Sequence, residues 1–136
     1  MIDMSVKDMT DQHLNRVIAE LMGYRVVNLN PEWWRNKAYW VLNEPLEERQ
    51  HIGKGTEDEA WCEAPDYCND PAASLEVQAA VIELDRVAYV NNLYEACYEF
   101  KRVKYSVWDE INIAFLLNAS PRQRAEAAYL TLSSQD

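Results

Sequence analysis

The chain has 136 residues, 49% hydrophobic and 26% charged, with only three glycines and five prolines. That composition excludes a collagenous, low-complexity or wholly disordered chain, and so few turn residues speak against a many-turned β-sandwich. The net charge of −10, from 13 basic and 23 acidic residues, counts against a general duplex-DNA binder, which needs a basic face.

No apolar run approaches the ~18 residues that span a bilayer. The opening MIDMSVKDMT has no basic stretch followed by an apolar one, so no signal peptide is expected. Three cysteines (Cys62, Cys68 and Cys97) are an odd number in a chain long enough to bury a core without them. This fits a reducing compartment and a cytoplasmic protein without membrane association. One domain over residues 1–136 is expected.

In chain order, the first element is a helix from Asp11 to Met22. Leu14, Val17, Ile18, Leu21 and Met22 fall on one apolar stripe, Thr10 can cap its start, and Gly23 suits a left-handed C-terminal residue. The opposite face, with Asn15, Arg16 and Glu20, is expected to be wet. Two strands follow, Tyr24–Leu29 and Lys37–Leu42, either side of the Asn30-Pro31 turn signal. Their link is too short for a parallel crossover, so they should pair antiparallel.

A long acidic loop over residues 43–69 comes next. From Asn43 to Asp70 there are nine acidic residues against Arg49 and Lys54, a net −7, which leaves the rest of the chain near balance at −3. Asp70-Pro71 starts a second helix ending near Asp85. Its stripe is Leu75, Ala79 and Ile82, widened by Val77, Val81 and Leu84. Val87–Lys104 suits either helix or aromatic strand, with the strand favoured in its second half. Ile111–Leu117 reads as a buried strand. The last helix opens at Ser120-Pro121 with Gln123 placed for a capping box, and packs through Ala125, Ala128, Tyr129 and Leu132. The sum is an α+β fold: a small antiparallel sheet with helices packed on it, an α/β/α sandwich.

The opening TDQHLNRVIAELMGY helix, the Trp-rich strand region, the W-x3-P-x-Y of Trp61, Pro65 and Tyr67 before Asp70-Pro71, and the closing Ser120-Pro121 helix together resemble the phage ABA sandwich family. This sequence departs from the family pattern in the acidic insert before Trp61 and in the long Val87–Trp108 region. The resemblance implies helix–sheet–helix layers. It is also similar to a group of bacteriophage proteins, the Thoeris anti-defence sponges, which sequester cyclic nucleotide immune signals without cleaving them. In that group aromatics stack the base and arginines on the terminal helix hold phosphate. The matching residues here are Arg122 and Arg124.

The residues bear separate readings. Arg122 and Arg124 stand at a helix N-terminus, where free N–H groups and the helix dipole attract anions and guanidinium groups suit phosphate; the alternative is two solvated arginines, with Glu126 as an ion-pair partner. Trp33 and Trp34 cannot both face one side of a strand, and with Tyr39 and Trp40 they could stack a nucleobase or fill core and interface. Lys101-Arg102-x-Lys104 could meet phosphate or form a solvated edge. His51, Cys62 and Cys68 lack the pairing of a zinc site. No G-x-S-x-G, P-loop or H-E-x-x-H is present, and His13 and His51 have no evident catalytic partner.

No enzyme, metal or cofactor is therefore expected. The leading reading is a homo-oligomeric phage anti-defence protein that sequesters a nucleotide signalling molecule through Arg122, Arg124, Trp33, Trp34, Tyr39 and Trp40. The alternative is an inhibitor of a host defence protein, with Thr56-Glu57-Asp58-Glu59 imitating a phosphate backbone or the aromatics forming the interface. An enzyme that degrades the signal comes third.

Overall fold

The computed structural model of the protein describes residues 5–29, 39–45, 52–97 and 110–135. After a 3-10 turn at Val6–Asp8, the order is α1 (Asp11–Leu21), β1 (Arg25–Asn28), β2 (Trp40–Asn43), α2 (Glu57–Trp61), α3 (Pro71–Cys97), α4 (Glu110–Leu117) and α5 (Pro121–Ser133).

Local chemistry sets the helix ends. Thr10 Oγ1 accepts from the His13 N–H at 3.1 Å. At the far end Gly23 takes φ +103°. Its N–H reaches the Glu20 carbonyl, and the Tyr24 N–H reaches that of Ala19 at 2.9 Å. This is the Schellman arrangement that satisfies the last carbonyls and requires the left-handed residue. Asp70 accepts from the Ala72 N–H at 3.1 Å, and Ser120 with Gln123 forms a complete capping box at α5.

The fold is α+β, with a small antiparallel sheet and helices packed on it. The register pairs Arg25 with Asn43, Val26 with Leu42, Val27 with Val41 and Asn28 with Trp40; among the described residues the sheet has two strands. Val41 and Leu42 are neighbours whose side chains leave opposite faces. Both are buried, so at this point each face of the sheet is covered. Lys54 adds a bridge to Trp40 through two 2.8 Å hydrogen bonds, which ties the acidic segment to the sheet, and α2 contacts both strands.

The core joins Leu14 and Ile18 of α1, Leu42 of β2, Trp61 of α2, Val77, Val81, Tyr89 and Leu93 of α3, and Ala125, Ala127 and Ala128 of α5. The closest helix pair is α3 with α5.

Two expectations need correction. Ile111–Leu117 is helical, not a strand, with Asn118 N–H bonded to the Ala114 carbonyl; a short, wholly apolar run has no periodicity to separate the two. The first stretch of α3 does end near Asp85, where the backbone breaks (φ −160°, ψ 84°); Asp85 then accepts from the Ala88 N–H at 3.1 Å and caps a further helical stretch that reaches Cys97. The part of Val87–Lys104 beyond Cys97, including Lys101, Arg102 and Lys104, lies outside the described residues.

The second correction concerns which face of that helix is inside. Val77 and Val81 are buried with Ala73 and Ser74, whereas Leu75, Ala79 and Ile82 are exposed. The alanine-rich α5 takes the face of α3 that carries small residues, because small side chains allow two helix axes to approach closely. Among the described residues no helix is long and apolar enough to cross a membrane.

Candidate functional site

The polar face of α1 is only partly wet: Glu20 is exposed, whereas Asn15 and Arg16 are half-buried where the acidic segment folds against them. Thr56 caps α2, accepting from the Glu59 N–H at 3.1 Å and donating to the Glu59 carboxylate at 3.1 Å. The helix thus begins with three carboxylates, Glu57, Asp58 and Glu59, at its positive end. Arg16 of α1 meets them. Its guanidinium contacts Glu57 at 3.1 Å, Asp58 at 3.5 Å and Glu20 at 3.0 Å, and lies 5.1 Å from the centre of the Trp61 ring. That distance is a cation–π contact.

One residue earlier on α1, Asn15 donates to Asp66 at 2.8 Å and accepts from the Cys68 N–H at 3.1 Å. Asn69 closes the ring by donating to Asp66 and to Asp11, each at 3.2 Å. These contacts hold the loop between α2 and α3 on the start of α1.

Between them lies a cleft of about 450 Å³, lined by Asp11, His13, Asn15, Arg16, Asp58, Trp61, Asp66 and Asn69, among others. A second depression of about 410 Å³ shares Arg16 and Trp61 and runs to Tyr24, Arg25 and Glu57 beside β1. Trp61 is buried to 9% exposure, and its indole N–H has no acceptor among the described residues. The first cleft carries three carboxylates against one guanidinium that is already shared among three acids. A mobile anion there meets net repulsion. One unopposed charge pair at 4 Å is worth ~1 kcal/mol in bulk water and ~4 kcal/mol near a protein surface.

The residues picked from the sequence are placed elsewhere. Arg122 turns inward. Its Nε donates to Glu126 at 2.8 Å and its Nη1 to Asp11 at 2.7 Å. Its Nη2 donates to the Val6 and Met9 carbonyls at 2.9 and 2.8 Å, and Cys68 Sγ lies 3.9 Å from Nη1. Five N–H groups face five acceptors. Burial alone would lower its pKa, but the hydrogen bonds to Glu126 and Asp11 outweigh that and raise it. Arg124 donates to Ser74 Oγ at 2.9 Å and to the Ala119 carbonyl. Both arginines therefore cross-link the fold: protein acceptors fill the guanidinium of Arg122, and Arg124 spends Nε and Nη1 on Ser74 and Ala119.

Tyr39 and Trp40 are half-buried. The Tyr39 ring lies so close to Gly53 that a side chain there would collide with it, and Trp40 is in the sheet ladder. Trp33, Trp34 and His51 lie outside the described residues. Of the cysteines, Cys62 is exposed while Cys68 and Cys97 are buried. Burial pushes Cys68 up to about 12, although Arg122 pulls the other way. Among the described residues no three His, Cys, Asp or Glu side chains are grouped to hold a metal.

Sequence reasoning missed Arg16, Asn15 and Asp66 as site residues; the W-x3-P-x-Y around Trp61 and the acidic run Thr56-Glu57-Asp58-Glu59 were the signals that pointed to this corner. No protein-family model, curated protein or solved structure matches the chain.

Proposed function

We propose that the protein works by binding, and that its acidic α2 region occupies a cation-rich surface of a partner protein in the manner of a nucleic-acid backbone. The observation that carries this reading is that the carboxylates are ordered rather than loose. Glu57 and Asp58 are oriented by Arg16, and Glu59 is held in the cap of α2. Yet the Asp58 side chain keeps 80% of its exposure, so it is oriented and still available. Pre-ordered acidic groups lose little freedom on binding and steer a basic partner during encounter. The resemblance to the phage family suggests host defence machinery as the source of that surface. Sequestration of a cyclic nucleotide has less support, since its phosphodiesters would face Asp58 and Asp66 while Arg122 and Arg124 are engaged internally.

The test is calorimetric titration with octa-arginine and, separately, with a cyclic dinucleotide, at 50 and 200 mM salt. Octa-arginine should bind and weaken with salt. Asp58→Asn with Glu59→Gln should weaken it about fivefold, whereas Asp8→Asn with Glu95→Gln, equal in charge and exposed but distant in sequence, should change it little. Equal losses in the two double variants would reduce the effect to net charge and sink the reading. Tight binding of the cyclic dinucleotide would restore the sequestration reading in its place.

A further inference from the structure

The long helix α3 has two apolar faces, and among the described residues only one is buried. Ala73, Ser74, Val77 and Val81 are buried. On the other side Leu75 is 49% and Ile82 38% exposed, with Ala72 and Ala79 also exposed. Positions 72, 75, 79 and 82 alternate three and four apart, the spacing of a helix seam made to receive another helix. Large and small side chains alternate along it, so Ala72 and Ala79 leave hollows between the projections of Leu75 and Ile82. Glu76 and Glu83 are exposed beside this seam, and Arg86 is the sole basic residue of α3.

We infer that this face docks an amphipathic helix of a partner protein that has large apolar residues along one seam and Lys or Arg on the side of it that meets Glu76 and Glu83. The charge supports that occupant. A basic flank meets Glu76 and Glu83, while a second copy of this chain would bring the same acids and another −10 of net charge. The area supports it too. Four seam positions over eleven residues extend ~17 Å along a helix roughly 10 Å wide, far less than the ~800 Å² each partner contributes to a stable dimer. It matches one laid-on helix. The inference does not depend on the α2 reading, since it uses different residues.

The probe is a fluorescein-labelled 21-residue peptide of three heptads, with leucine at both seam positions and lysine at both flanking positions, read by anisotropy. A twin peptide with glutamate flanks is the control. The lysine peptide should bind. Leu75→Gln with Ile82→Gln, exposed changes checked by circular dichroism, should weaken it about tenfold. Glu76→Lys with Glu83→Lys should transfer preference to the glutamate peptide. Leu75→Gln with Ile82→Gln, which changes no charge, should leave octa-arginine affinity unchanged, which separates this face from the α2 region. Unaltered affinity in the Leu75/Ile82 variant, or no binding of the lysine peptide, overturns the inference. So does a dimer in sedimentation that this variant dissolves, which would make a second copy the occupant.

Discussion

Replacing Arg122 with methionine should unfold the protein more readily instead of merely removing a surface charge. The guanidinium holds together the 3-10 turn, the start of α1 and the first turns of α5, through the Val6 and Met9 carbonyls, Asp11 and Glu126. Glu126 is the sensitive partner. Its side chain is only 7% exposed, and without Arg122 it keeps Lys7 alone, at 3.4 Å and itself 60% exposed. Removing one member of a buried ion pair costs ~3–5 kcal/mol. Arg122 retains 23% exposure and Asp11 half of its own, so solvent screening brings the expected loss to roughly 3 kcal/mol. For a chain of this length that is about 9–15 °C in melting temperature. Thermal melts followed by circular dichroism at neutral pH measure it. Arg122→Met with Glu126→Leu should recover part of the loss, because the orphaned carboxylate goes with its partner. A single variant melting within about 3 °C of the parent would refute this reasoning and return Arg122 to a role facing outward.

Gly23→Ala should lower the urea midpoint, because an L-residue at φ +103° is strained and its Cβ would stand 2.9 Å from that of Pro45; the left-handed conformation alone costs about 1–2 kcal/mol. In the native state a thiol reagent should label Cys62 rapidly and leave Cys68 and Cys97 until denaturant is added. Stability should also fall in alkali. Burial raises Cys68 from 9.0 to about 12, so above pH 9 the unfolded chain releases this proton first. The contribution is whole below pH 9 and is lost as pH climbs towards 12, by up to about 1.4 kcal/mol per pH unit. Urea midpoints at pH 8 and 10.5 should therefore differ less in Cys68→Ala than in the parent.

What could be read in the sequence was local. Thr10, Gly23, Asp70, Ser120 and Gln123 act on backbone groups within a few residues of themselves, so their roles follow from type and spacing. The break at Asp85 was legible for the same reason, although its ability to cap a further helix was not. Where a segment had apolar residues on more than one side, periodicity did not choose. Leu75, Ala79 and Ile82 make as regular a stripe as the face that is buried, and the choice was made by α5, some fifty residues away, with its small-residue surface. The site was hidden by the same distance. Arg16 and Asn15 sit on what reads as the solvent side of α1, and their partners Glu57, Asp58 and Asp66 come from 41 to 51 residues later.

The two terminal-helix arginines show why one local pattern supports opposite outcomes. A guanidinium at a helix N-terminus adds positive charge to a positive end, so carboxylates must come to it, either from a ligand or from the chain itself. Here the chain supplies them. Asp11 arrives from 111 residues away and Glu126 from the next turn, and the requirement is met before any ligand arrives. Arg16, Lys54 and Lys7 follow the same course, pairing with Glu57, Glu63 and Glu126. In a chain with ten more acids than bases, drawing cations into internal cross-links concentrates the uncompensated negative charge on the outside. Glu59 at the α2 cap and Glu76 and Glu83 along α3 belong to that remainder, and Asp58 beside them shares Arg16 with two other acids. Both proposed surfaces therefore favour cationic partners, one through ordered carboxylates and the other through an apolar seam with an acidic border.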